Sequence, residues 1–394
     1  MTGIASIREL MTRNVRQSGI YIAFVVIVAL FTFITDGLLL NPNNLSNLVL
    51  QYSYILILAI GMVIVIIAGH IDLSVGSVVA VTGAISATIV IKNGLPWWMG
   101  VLAALAAGLV IGAWQGFWVA FVGIPAFIVT LAGMLLFRGL TLLILDNISL
   151  SPFGQPYTTI AAGFQNGLLG GPGYDVFTLV VFGVAVAAYA FSQWRARRGR
   201  VAYQQTVEAF PLFVLKIVIV GAVVMWFAYQ LASSRGLPNV LILLAFLIVT
   251  YSLVTSRTVF GRHVYAIGGN LSAAQLSGVK VKWVNFFIFV NIGFLASVAG
   301  VVFSSRSNAA QPAAGNMFEL DAIAACFIGG AAVTGGVGKV TGAMVGGLIM
   351  AVMSNGMQLM GVDQSVQQVV KGLVLLLAVA FDVWNKRRAG AVSR

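Results

Sequence analysis

Apolar runs of about 15–22 residues, the length a helix needs to cross a bilayer, follow one another from Gly19 to Val383. Backbone N–H and C=O groups in lipid must be satisfied within the segment, so such runs predict helices rather than open sheet. Charged residues make up 8% of the sequence against 60% hydrophobic, too little charge to solvate a soluble core of this size. The expectation is an all-α integral membrane protein: one polytopic helical bundle over residues 1–394, with about twelve spans.

A formal charge of +12 raises nucleic acid as a partner, but the distribution of that charge argues against it. Lys and Arg gather at Arg8/Arg13/Arg16, Arg195/Arg197/Arg198/Arg200, Arg257 to Lys282, and Lys386/Arg387/Arg388/Arg394, each flanking an apolar run. With about twelve spans every large basic cluster falls on one side, which the positive-inside rule makes the cytoplasm, and both termini lie there. The basic leader before Gly19–Thr35 resembles a secretory signal, yet no small-x-small site precedes Asp36, and a retained first helix is expected. Cys326 is the single cysteine and sits in an apolar run, which excludes a disulfide within the chain and a cysteine-ligated metal site.

Three polar interruptions stand out. Asp146–Gly173 is rich in Gly, Pro, Ser and Thr, carries no basic residue, and reads as an external loop. Tyr174–Ser234 reads as a helical hairpin with its basic turn, Arg195–Arg200, inside. The third, Arg257–Lys282, has Arg257, Arg262, Lys280 and Lys282 and no acidic residue. Within it Ala273–Gly278 predicts a short helix closed by a glycine, with Asn270 or Ser272 as the N-cap. A glycine-bounded helix on a basic face suits docking on a soluble partner; an ordinary inside loop is the alternative.

Asp72 and Asp321 lie near the ends of apolar runs without a basic residue close by in sequence. Intramembrane carboxylates are costly and mark aqueous cavities or partners, whereas a place at a helix start also suits capping. Arg138 and Lys371 fall inside apolar runs, where snorkelling or pairing is expected. His70 and His263 are the only histidines, too few for a metal site. Gly335-Gly336-Val337-Gly338-Lys339-Val340 invites a phosphate-loop reading and fails it. Val333 stands where the first glycine belongs, and Val340 where a magnesium-binding Ser or Thr belongs. Asp72 and Asp321 each precede an Ala-Val-Thr-Gly, at Ala80–Gly83 and Ala332–Gly335, an echo that suggests interrupted helices in the two halves. Nothing in the chain forms a recognisable catalytic, metal or cofactor motif.

One set of residues is specific. Gly69-x-Ile71-Asp72-Leu73-Ser74-Val75-Gly76-Ser77 resembles the strongest signature of the monosaccharide ABC importer permeases, the ribose, xylose and galactoside group. Pro125-x-Phe127-Ile128-Val129-Thr130-Leu131-Ala132-Gly133-Met134 and Phe260-Gly261-Arg262-x-x-Tyr265-Ala266-Ile267-Gly268-Gly269-Asn270 match in the same order. So do Leu276-Ser277-Gly278-Val279, Glu319–Ala325 and Ser354-Asn355-Gly356. The likeness runs nearly end to end and is nearest to the xylose and multiple-monosaccharide type, whose added hairpin Tyr174–Ser234 is similar to; His70 departs from the pattern.

The resemblance implies a ten-helix core plus that hairpin in a bacterial inner membrane, forming the pathway of an ATP-driven monosaccharide importer without being an enzyme itself. Two copies would form the pathway, a separate tandem ABC ATPase would dock from the cytoplasm, and a periplasmic or extracellular binding protein would deliver sugar. It also implies that residues 257–282 are the ATPase-coupling loop, through Gly261, Arg262, Tyr265, Gly268, Asn270, Ala273, Ala274, Leu276, Ser277 and Gly278. Gly268, Gly269 and Gly278 are expected to make tight turns there. Pathway candidates are His70, Asp72, Ser74, Asp321 and Asn355. An ion-driven secondary transporter using Asp72 or Asp321, and a membrane enzyme acting on lipid-linked substrates, are the rival readings.

Overall fold

A computed structural model describes residues 15–205 and 207–392, with side chains described over 19–205 and 207–380. The terminal clusters Arg8/Arg13/Arg16 and Lys386/Arg387/Arg388/Arg394 therefore lie outside the described side chains.

The elements run α1 (Val15–Ile34), α2 (Pro42–Ile67), α3 (Val75–Ala87), α4 (Trp97–Phe117), α5 (Ala126–Leu145), α6 (Gln155–Ala162) and α7 (Val176–Ala202). They continue with α8 (Phe210–Ala232), α9 (Asn239–Arg257), α10 (Val259–Gly269), α11 (Leu271–Leu276) and α12 (Val281–Ser307), then α13 (Phe318–Ile328), α14 (Val340–Leu359) and α15 (Gln364–Val392). Wider π-helical turns, Thr88–Lys92 and Trp118–Val122, extend α3 and α4. A two-residue antiparallel pair joins β1 (Phe164–Gln165) to β2 (Leu237–Pro238). Among the described residues 9 helices are long and apolar enough to cross a membrane, and the shorter apolar stretches Gly19–Ile34 and Gln364–Ala380 flank them. The protein is a polytopic helical membrane protein.

Burial sorts the helices into layers. A helix that is apolar all round belongs in the middle of a bundle, and α2 meets that condition, with 94% of its most apolar window buried against 6% for α7. Around α2 pack α9, α12, α13 and α14. The most extensive helix contact is α4 with α12, and its cause is a row of small residues: Gly108, Gly112 and Gly116 recur every four positions on one face of α4 and meet the α12 backbone. A Cβ at Gly112 would lie 2.4 Å from the Phe289 carbonyl oxygen, so only glycine lets the two backbones meet.

One expected span takes a different form. Phe318–Val333 reads as a continuous apolar run, but the helix stops at Ile328 because Gly329 and Gly330 end it, Gly330 at φ +86°. Its 11 residues reach only about half of the ~30 Å hydrocarbon core. The stretch before it, residues 308–317, is non-helical. The start of α13 meets the start of α3, where a Cβ on Gly76 would fall 2.2 Å from the Gly315 carbonyl oxygen and 2.4 Å from Glu319 Oε2. The Ala-Val-Thr-Gly echo has no structural counterpart: Ala80–Gly83 lies inside α3, whereas Ala332–Gly335 lies in the loop after α13. Within the long loop 146–173 the chain forms α6, whose Tyr157 is fully buried beneath Phe153 at 4.0 Å between ring centroids.

Candidate functional site

Three neighbourhoods hold the polar residues of interest. The largest is a cleft of about 690 Å³ between α2, α13, α14 and α15, closed on one side by residues 311–317. Helical spacing builds its walls. Met350, Ser354 and Gln358 recur every four positions on α14, and Gln364, Gln367, Gln368, Lys371, Gly372 and Leu375 share a face of α15. Gln51, Tyr52, Tyr54 and Ile55 supply the α2 wall, and Asp321 with Ala324 the α13 wall. At the centre Lys371 Nζ stands 3.1 Å from both carboxylate oxygens of Asp321. Asp321 sits in the first turn of α13, where a carboxylate suits the helix dipole, and the lysine neutralises it across the cleft. The side chains are 24% and 13% exposed, so water reaches the pair.

Beside the pair, Tyr54 stacks on Phe318 at 4.3 Å and both meet Phe303 edge-on, a flat apolar wall. Gln51 Nε2 donates to Gln358 Oε1 at 3.0 Å across the opening. Tyr52 Oη and Ser354 Oγ, also on the wall, are buried with no hydrogen-bond partner of ordinary geometry. The site thus offers amide donors and acceptors, hydroxyls, one ion pair and an aromatic face, the inventory suited to a small, uncharged, hydroxyl-rich molecule.

Asp72 and Ser74 form the second neighbourhood, away from that cleft. Asp72 Oδ1 accepts from the Ser74 backbone N–H at 2.7 Å and from Ser74 Oγ at 2.6 Å, and Gln115 Nε2 donates to Ser74 Oγ at 2.6 Å. Asp72 is 1% exposed and Ser74 fully buried. The arrangement is an Asx-type turn that fastens the chain leading into α3; the helix N-cap, Ser74, makes no side-chain capping bond of its own. Thr130 Oγ1, 3.4 Å from the Ile71 carbonyl, and Gly133, whose Cβ would lie 2.6 Å from Gln115 Nε2, bring α5 against it. Asn355 is likewise a tie: it exchanges side-chain hydrogen bonds with Asn44, at 2.8 and 3.1 Å, joining α14 to α2 while its neighbour Ser354 faces the cleft. Arg138 Nη1 donates to the Ala314 carbonyl at 2.5 Å, which pins the non-helical stretch before α13.

The third neighbourhood is α10–α11. Thr258 caps α10 by accepting from the Gly261 N–H at 3.2 Å, and Asn270, not Ser272, caps α11 by accepting from the Ala273 N–H at 2.9 Å. Gly278 closes α11 at φ +81°. Ala274 packs inward at 4% exposure, while Leu276 stands out at 91% beside exposed Ala273 and Ser277. Gly268 and Gly269 do not make turns; both lie in α10. Gly268 is there for want of space, since a Cβ would fall 1.7 Å from the Ile67 carbonyl oxygen and 2.6 Å from the Gly336 nitrogen. Gly336 N–H donates to that same Ile67 carbonyl at 2.8 Å. Tyr265 donates to the Gly338 carbonyl at 2.6 Å, and burial raises its phenol, which keeps the proton in place. The glycine-rich segment that mimics a phosphate loop is thus a clasp. It locks α10 onto the end of α2 and onto the loop that runs directly out of α13. Arg262 is exposed and borders the cavity beside Tyr265 and Gly338.

His70 lies just past α2, its ring 5.9 Å from Phe289 and its Nε2 buried without a partner. It belongs to the clasp end, not to the cleft. Of the pathway candidates only Asp321 lines the cleft. Sequence reasoning missed the glutamine walls, Tyr54, Phe318 and Ser354. The glutamines at Gln364, Gln367 and Gln368, in helical register with Lys371, were the one local signal.

Comparison with known proteins agrees with this architecture. Residues 44–379 match the family described as branched-chain amino acid transport system / permease component. The xylose transport system permease protein XylH of Escherichia coli K12 is 41% identical, over 93% of this chain and 91% of its own. XylH of Haemophilus influenzae is 40% identical over 96% and 99%. The ribose import permease protein RbsC of Escherichia coli K12 is 36% identical over 93% of each. No solved structure matches the chain. The match covers the cleft, the clasp and the α3 entry alike, and the chain belongs to the branched-chain amino acid transport system permease family.

Proposed function

We propose that this chain is the membrane permease of an ATP-driven monosaccharide importer of the xylose type. It acts as a homodimer in the bacterial inner membrane, with both termini in the cytoplasm. A separate tandem ATPase docks on residues 257–282, and a soluble binding protein delivers sugar from the other side. The observation that carries the reading is the cleft of about 690 Å³ around Asp321 and Lys371. Its glutamines replace water around sugar hydroxyls, and its aromatic wall covers an apolar ring face. Exposure to water keeps binding weak enough for release, as conduction requires.

Coupling follows from the clasp. Leu276 is an apolar anchor for the ATPase, and α10 is rigid because its caps and Gly268 leave it no play. Movement of α10 reaches α13, and with it Asp321, through Tyr265–Gly338 and Gly336–Ile67. Each ATPase state favours one arrangement of the bundle and the loaded binding protein favours the other, a driven population shift.

The test is ATP-dependent uptake of labelled xylose into vesicles containing the permease, its cognate ATPase and binding protein. Glucose, galactose and arabinose serve as competitors and an ATPase-dead variant as control. Uptake that stops in the control and is competed by xylose-like sugars supports the importer; uptake that persists returns attention to ion coupling. Gly268→Val and Leu276→Asp should each abolish stimulation of the ATPase by loaded binding protein. The second touches only an exposed side chain, so it leaves the fold intact, and full stimulation in it would remove residues 257–282 from the coupling role.

A further inference from the structure

The pair α7–α8 stands apart from the bundle. The base of the pair is tied down: β1 pairs with β2, and the Asp175 N–H donates to the Ala232 carbonyl at 3.0 Å. Beyond that base α7 runs for 27 residues, about 40 Å, and its last turns pass the end of a ~30 Å hydrocarbon core. Those turns carry Arg195, Arg197, Arg198 and Arg200.

The four arginines divide between two faces. Arg197 faces α8: its guanidinium lies 5.1 Å from the Phe213 ring and donates to the Glu208 carbonyl at 2.5 Å. Arg200 borders the same small crevice, where Glu208 is already engaged by Lys216 at 3.5 Å, and its place in the last turn suits the helix dipole. Arg195 and Arg198 lie on the other face. With Phe191 and Trp194 they share the spacing i, i+3, i+4, i+7, a single stripe pointing away from α8.

On that stripe Phe191 and Trp194 are 59% and 43% exposed, and their rings approach to 6.4 Å. The Arg198 guanidinium carbon lies 3.9 Å from the centre of the Trp194 ring, a cation–π contact that holds the two side chains together. No described carboxylate lies within ion-pair distance of Arg195 or Arg198. Moving outward along the helix, the stripe passes from Phe191 through Trp194 to paired guanidiniums. A bilayer changes in the same order, from acyl chain through interface to phosphate. The positive-inside rule needs charge near the end of a span; it does not need that charge aligned with aromatics on the lipid side.

We infer that Phe191, Trp194, Arg195 and Arg198 form a binding site for the phosphate headgroup of an anionic phospholipid. The guanidinium forks take the phosphate oxygens and the aromatics take the upper acyl chain.

The test uses delipidated full-length protein titrated with phosphatidylglycerol or phosphatidylcholine, with bound lipid counted by native mass spectrometry. Wild type should prefer phosphatidylglycerol, and Arg195→Gln/Arg198→Gln should weaken its retention by about tenfold. The matched control, Arg197→Gln/Arg200→Gln, removes the same charge from the α8 side and should retain lipid as wild type does. Inorganic phosphate at equal concentration should not displace the lipid, because it lacks the chains. Trp194→Ala keeps every charge that directs insertion and should lower retention by about threefold. Equal loss in both double variants, unchanged retention in Arg195→Gln/Arg198→Gln, or no preference over phosphatidylcholine would each overturn the proposal.

Discussion

Asp72 and Asp321 carry nearly the same signature in the sequence, a lone carboxylate at the edge of an apolar run, and the structure gives them opposite surroundings. Asp72 is sealed, both its hydrogen bonds going to Ser74 in the adjoining turn. Asp321 opens on a cleft and reaches across it to Lys371, fifty positions later in the chain. Hydrogen-bond geometry decides which of two intramembrane carboxylates is scaffold and which is available. The first is spent on holding α3; the second is neutralised by a side chain that can move away.

The largest expected effect is on the sealed side. Asp72→Ala removes two hydrogen bonds and leaves the buried Ser74 N–H and O–H without their acceptor, so it should cost about 3 kcal/mol. Reversible unfolding in micelles measures this, and uptake should fall only as far as folded protein does. Unaltered stability with lost uptake would break the comparison and return Asp72 to the pathway.

On the open side, Lys371→Met strands a carboxylate that water still reaches, and a cost of about 1–2 kcal/mol is expected. Uptake should fall well beyond that loss of stability. Adding Asp321→Asn should recover part of the stability, so the double variant is less destabilised than the sum of its parts. Strict additivity would mean that the pair is not coupled.

A third carboxylate sharpens the contrast from outside the membrane-spanning segments. Burial alone would raise Asp175, but hydrogen bonds from Thr178, Gly167 and Phe177 outweigh it and hold the carboxyl below its ordinary value. A depressed carboxylate stabilises the folded state fully above its unfolded pKa, and that share is lost as pH falls through the folded value. Opening at the start of α7, read as the amide exchange rate relative to the intrinsic rate at each pH, should therefore be flat at neutral pH and rise only below about pH 4. A rise near pH 6 would contradict the capping role.

Much of this was legible in advance where the cause is local. The α11 helix follows from Asn270 and Gly278 because a cap and a left-handed glycine act within a few residues. The apolar helices follow from run length. The break after Ile328 was hidden, since Ala322–Val333 carries no polar residue but Cys326 and Gly329-Gly330 resembles the many glycines that merely let helices touch. Gly268 misled for the same reason: its neighbours Ile67 and Gly336 are remote in sequence, and only their backbones explain it. The cleft was the least legible, because its glutamines come from the two ends of the chain and are ordinary surface residues one at a time.

The shortness of α13 has a consequence for water. Lipid does not tolerate bare peptide groups, so the non-helical stretch 308–317 must be wetted or covered along its whole descent. Ala314 is covered by Arg138, while Gln311, Ala313, Gly315 and Asn316 border the cleft. A seam along this stretch is therefore expected to open to water through the cleft, on one flank of an otherwise oily bundle. Solvent deuterium should label that seam well before the α2 helix beside it.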